Sequence, residues 1–109
     1  MSQRYKLVFN VPLTHADAVR KALGDAGAGR IGNYSHCSFS VTGTGRFLPN
    51  EKASPHIGTP GQLETVAEEQ IQVDVLAEDM KAVITALKKV HPYEEIGYEI
   101  YQMTDESIF

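Results

Sequence analysis

The stretch GAGRIG, Gly27 to Gly32, decides how the rest of the chain is read. Its letters fit G-x-G-x-x-G, the glycine pattern that cradles a dinucleotide. That pattern works where a strand leads in and a helix opens within it, so that free helix amides face a pyrophosphate. Here the order is reversed. The residues before it carry Val19, Ala22, Leu23 and Ala26 on one stripe, an amphipathic helix. The residues after it alternate like a strand. A helix that ends at this point offers carbonyls rather than amides. GAGRIG therefore reads as a helix stop followed by a tight turn.

Working outward, Tyr5 to Val11 (YKLVFNV) alternates, with Tyr5, Leu7, Phe9 and Val11 on one face. Pro12 ends that strand, and Thr14 with Asp17 is a weak capping box for the helix that follows. Asn33 to Val41 (NYSHCSFSV) predicts a second strand with Cys37, Phe39 and Val41 toward the core and Tyr34, His36, Ser38 and Ser40 on the opposite face. A Gly- and Pro-rich connection over about 42–65 then reads as a long loop, with a short strand at Arg46 to Leu48. Loops of that length inside one domain are uncommon and often functional. Val66 to Leu76 predicts a third strand, with Ile71, Val73 and Val75 inward. Asp79 is the expected cap of a second helix bearing Met80, Val83, Ile84, Leu87 and Val90. Pro92 stops that helix, and Gly97 to Met103 is the last strand.

The order is β-α-β-loop-β-α-β in one domain, 1–109. The expected fold is α+β, a ferredoxin-like βαββαβ sandwich: a four-stranded antiparallel sheet with both helices on one face. The helix-free face would carry Val8, Tyr34, His36, Gln70 and Gln72, a mixed surface that a partner subunit could cover.

Bulk properties narrow the function. The 109 residues carry a formal net charge of −4 at pH 7, and no basic run supplies the cationic footprint of a nucleic-acid binder. No apolar run approaches the ~20 residues of a membrane span. The N-terminus shows no signal-peptide pattern. A single cysteine, Cys37, excludes an internal disulfide and fits a reducing, cytoplasmic location.

Three segments carry further information: GNYSHCSFSVTGTGRFLPN, PHIGTPGQLETVAEEQIQV and HPYEEIGYEIYQM. Together they resemble the domain inserted in bacterial Nif-three-like proteins, the dinuclear-metal-centre family also labelled GTP cyclohydrolase-like. The shared pattern is Gly32, Tyr34, Cys37-Ser38-Phe39, Gly43-x-Gly45-x-Phe47, Pro55-x-Ile57-Gly58, Glu64-x-x-x-Glu68 and His91 to Glu95. The resemblance implies the fold of CutA and PII-like proteins, and by analogy a trimeric homo-oligomer. The host proteins hold their two metals in a separate domain that has no counterpart positions here. Neither a dinuclear site nor a cyclohydrolase activity carries over, and the expectation is the insert on its own.

HPYEE admits two readings: an ordinary helix exit, or a pocket placing an imidazole beside two carboxylates. TGTGRF likewise reads either as turn chemistry or as an anion-binding nest beside Arg46. The candidate ligand contacts are Tyr34, Arg46, Tyr93 and Glu94. The candidate metal ligands are His36, Glu64, Glu68 and His91, with His56 nearby in the pattern, if folding and oligomerisation bring them together; imidazoles with carboxylates suit a divalent ion. No serine has a recognisable His-Asp pair, and Cys37 reads as a structural thiol, so no catalytic residue is expected. The expected function is a small regulatory or ligand-binding module taking a divalent metal or a small anionic ligand. The alternative is an accessory subunit that covers or gates a metalloenzyme, such as a Nif-three-like metalloprotein, in trans.

Overall fold

Four strands and two helices form in the predicted order. The computed structural model describes residues 3–109. Strand β1 is Arg4–Pro12, helix α1 Leu13–Asp25, β2 Phe39–Phe47, β3 Glu64–Leu76, α2 Ala77–Val90 and β4 Tyr98–Gln102, followed by a short 3-10 turn, Glu106–Ile108. The sheet order is β2-β3-β1-β4 with every neighbouring pair antiparallel. This is the ferredoxin-like arrangement.

Alternation in β1 and β3 builds the core. Leu7, Phe9 and Val11 lie opposite Val73, Ile71 and Glu69, and all three apolar residues of β1 are buried. Onto this face pack Ala16, Val19 and Leu23 of α1 and Val83 and Leu87 of α2. Arg20 of α1 reaches down to Glu69 of β3 and Asp17 on its own helix, and donates to Ser40 Oγ of β2. That ties the helix layer to the sheet at its outer strand. Met103 N–H donates to Arg4 O (2.9 Å), so the chain leaves the sheet beside the point where it came in.

GAGRIG is a helix stop and turn, as its context required. Ala26 and Gly27 N–H close the end of α1 on Ala22, Leu23 and Gly24 carbonyls, and Gly29 N–H then donates to Asp74 O of β3. Gly29 has φ +80°, and a Cβ there would lie 2.3 Å from Cys37 O. The close passage of two backbones demands a residue with no side chain.

The second strand differs from expectation. It runs Phe39–Phe47 rather than Asn33 to Val41, and the glycine-rich TGTGRF lies inside it rather than in a turn. The reason is β3, whose 13 residues supply a ladder along the full length of β2. Backbone pairing there overrides the low strand propensity of Gly43 and Gly45. The connection shrinks accordingly from about 42–65 to 48–63. The facing is also reversed. Phe39 pairs with Gln72 and Val41 with Gln70, so both sit on the helix-free face, where they are 65% and 46% exposed. Ser40, opposite Ile71, takes the inward position. Tyr34 and His36, expected on the open face, belong instead to the turn before β2, with Ile31 and Tyr34 forming a local bridge.

The helix starts also moved. Helix α1 begins directly after Pro12 with no side-chain cap, and Thr14 Oγ1 contacts His15 Nδ1 instead. Asp79 is the third residue of α2 rather than its cap. Among the described residues no helix is long and apolar enough to cross a membrane.

Candidate functional site: a cleft at the exit of helix α2

Pro92 determines how α2 ends. A proline disfavours helical geometry in the residue before it, and His91 leaves the helix extended at φ −66°, ψ 133°. The imidazole swings under β1 and is buried, 5% exposed. Its Nε2 lies 2.7 Å from Asn10 O, and its Nδ1 lies 3.2 Å from Tyr93 N. The carbonyl can only accept and the amide can only donate. The ring is therefore the neutral tautomer with the proton on Nε2. Burial pushes the His91 pKa below its ordinary value, against the opposing pull of the Asn10 carbonyl and Glu68.

His91 in turn aims Tyr93. The two rings are 5.0 Å apart, and Tyr93 packs edge-on against Phe47 of β2 at 5.9 Å. The Tyr93 hydroxyl donates to Glu68 Oε2 of β3 at 2.8 Å. Burial, then the bond to Glu68, raises the phenol pKa well above its ordinary value, so Tyr93 remains a donor. Glu68 is 6% exposed. Its other oxygen rests over Gly45, where a Cβ would come within 1.7 Å of Oε1. The missing side chain at position 45 makes room for the carboxylate. Glu94, next along the exit, accepts from Ser54 N–H at 2.9 Å and fastens the 48–63 loop across the opening.

These pieces enclose a cavity of about 390 Å³, within the range of small-molecule sites. Asn10, Arg46, His56, Glu68, Tyr93, Glu94 and Glu95 supply its polar lining, while Phe47, Leu48, Pro49, Ala53, Pro55 and Ile57 supply apolar walls.

Of the sequence candidates, the cavity brings together Arg46, Glu68, Tyr93 and Glu94, with His91 buried behind Tyr93. His56 lines it as well, whereas Tyr34, His36 and Glu64 stand apart. Tyr34 is exposed in the turn after α1. His36, with φ +59°, points its Nε2 at Asp25 Oδ1 (3.0 Å) at the end of α1. Glu64 accepts from Thr65 N–H. Within one chain His36, Glu64, Glu68 and His91 do not converge, and among the described residues no group of three or more His, Cys, Asp or Glu side chains could hold a metal. Sequence reasoning missed Asn10 and the role of Gly45. Asn10 looked like one more outward residue of β1. Gly45 lay in a segment read as a turn, and its part in admitting Glu68 needs the β2–β3 register.

No protein-family model matches the chain. A GTP cyclohydrolase 1 type 2 homolog from Halalkalibacterium halodurans is 51% identical over 102 residues, 94% of this chain. A solved Bacillus cereus protein related to NIF3 superposes with a TM-score of 0.83 at 49% identity over 95% of this chain. The chain is homologous to one segment of these Nif-three-like proteins. It spans 27% and 26% of their respective lengths. A PII-like CutA protein from a Nostoc species matches at TM-score 0.66, with 13% identity over 96% of this chain and 85% of its own. At that identity the likeness is one of fold: the chain has the CutA/PII-like fold.

Proposed function

We propose that this chain is a small ligand-binding or regulatory module, working as a homo-oligomer, with the cleft at the exit of α2 as its binding site. The observation that carries the reading is Glu68. It is a buried carboxylate in the wall of a cavity of ligand size, held by one tyrosine hydroxyl. Burying such a group is costly unless it has work to do. The surrounding parts are arranged as a binding site rather than a reaction centre. The imidazole of His91 has both nitrogens engaged by backbone, and Tyr93 holds its proton tightly.

The helix-free face supports the oligomer. Phe39 and Val41 of β2 and Val8 of β1 flank Gln70 and Gln72 of β3 on this face, and the two β2 residues are widely exposed. A trimer is the arrangement we favour, by analogy with CutA and PII-like proteins, and the cytoplasm is the location we favour for it. A divalent metal belongs to this reading only as an ion shared between copies, because one chain does not assemble the donors.

A second reading has a specific observation in its favour. The homologous segment occurs within longer Nif-three-like proteins. The module would then cover or gate the site of a metalloprotein partner rather than own one.

Thermal-shift screening against small ligands and metals tests the first reading, since a ligand that binds only the folded state raises the melting temperature. A saturable shift abolished by Glu68→Gln supports the cleft. Shifts that appear only when a Nif-three-like protein is added favour the second reading.

A further inference from the structure

We infer that the ligand of the cleft is an organic cation, an ammonium or guanidinium group on an aliphatic stem, with Glu68 as its charge partner. This rests on the reading of the cleft as a binding site and names the chemistry it would take.

Glu68 is 6% exposed and lines the cavity. One carboxylate oxygen accepts from Tyr93, while Oε1 has no hydrogen-bond partner among the described residues. The ion pairs of the described residues use Asp17, Asp25, Glu69 and Asp74, and none uses Glu68. Oε1 is open to the cavity rather than sealed in protein, and no ion pair neutralises the carboxylate. A cation entering the cavity would supply that pair.

The rest of the lining discriminates between ligand classes. Glu94 and Glu95 bring the lining carboxylates to three, against one guanidinium, Arg46, and one imidazole, His56, so acidic groups outnumber basic ones and an anion meets net repulsion. A bare divalent ion needs several converging donors, commonly four or more, and the described residues of one chain provide no such group. An organic cation needs one carboxylate at its head and apolar surface along its stem. Phe47, Leu48, Pro49, Pro55 and Ile57 supply that surface. Phe47 and Tyr93, packed edge to face at 5.9 Å, add aromatic faces that attract a cation. The cavity of about 390 Å³ suits a chain of a few carbons with a charged end.

Such a group reaches the cleft either as a free amine or as the side chain of a lysine or arginine. Backbone amide shifts of the intact 109-residue protein, followed by NMR, distinguish the two. The free probes are n-butylamine, putrescine and agmatine. The tethered probes are short peptides with a central Lys or Arg and blocked ends. n-Butanol, inorganic phosphate and zinc chloride are the comparators. The expected result is a saturable perturbation of the Gly45, Ser54 and Tyr93 amides by the cationic probes and none by butanol or phosphate. Tighter binding of the free amines assigns the ligand to a small molecule; tighter binding of the peptides assigns it to a protein segment. Glu68→Gln, which keeps the shape and removes the charge, should weaken binding at least ~10-fold. Should that variant fold poorly, the double variant Glu94→Gln/Glu95→Gln should still weaken it about 2- to 5-fold through the rim charge.

Saturable cleft binding of phosphate or zinc without the cations overturns the inference and leaves the cleft as a binding site. Cation affinity unchanged in both variants overturns it as well. No perturbation of the cleft by any probe removes the binding-site reading itself.

Discussion

At the scale of the residue, the site is a relay of four residues, each positioned by the one before. Pro92 forces His91 out of the helix, His91 accepts from the Tyr93 amide, and the Tyr93 hydroxyl grips Glu68. Removing the last donor leaves a buried carboxylate oxygen without a partner. Tyr93→Phe is therefore expected to destabilise the fold by about 1.5–3 kcal/mol, read as a shift of the urea midpoint at unchanged slope. His91 makes stability depend on pH. Its folded pKa is held below the ordinary 6.5, chiefly by burial. The contribution of the neutral ring is complete above the unfolded value. It is lost as pH falls through 6.5 toward the folded value, because the unfolded chain takes up the proton more readily. The melting temperature should fall between pH 7 and pH 5, and His91→Gln should show a lower melting temperature at pH 7 with a shallower slope. Equal slopes in the two proteins would remove His91 as the source. The sequence made part of this legible. HPYEE marks a helix exit with defined geometry, because proline acts locally. It could not show that Glu68 is the partner of Tyr93, since that contact joins residues 25 positions apart through the sheet.

At the scale of the element, periodicity identified β1, α1, β3, α2 and β4 closely and misplaced β2. The alternation of Phe39 and Val41 is real, but alternation says only that neighbouring residues face opposite ways. It does not say which face is inside. Pairing with Ile71 turned Ser40 inward and left the two apolar residues outside. The glycines divide in the same way. Gly29 has a backbone conformation and a neighbour that admit no side chain, whereas a Cβ at Gly43, inside β2, meets nothing within 4 Å. Gly29→Ala should cost at least ~2 kcal/mol through strain and displacement of the Cys37 backbone, and Gly43→Ala should change stability by less than ~0.5 kcal/mol. Chemical denaturation of the two variants side by side checks the contrast, which the letters alone do not reveal.

At the scale of the whole molecule, the topology followed from the order of elements and from the reversed context of GAGRIG, because few arrangements of two βαβ units bury both helices. The facing of β2 now decides what the open side of the sheet can do. With Phe39 and Val41 outward, that side is more apolar than the sequence suggested. Placing a charge on its apolar edge, Phe39→Asp, should lower the association state in sedimentation velocity while leaving the circular dichroism spectrum intact. A wild-type protein that sediments as a monomer at micromolar concentration would count against the homo-oligomer. Strands β1 and β4 are antiparallel neighbours, and Met103 bonds to Arg4 across them. The doorway of the fold is thus a single pair of backbones about 5 Å apart. Spliced into a surface loop of a larger polypeptide, this unit would hang from a narrow stalk, scarcely prising the host apart. The geometry that lets the motif occupy a quarter of a longer relative is written in where its threads cross.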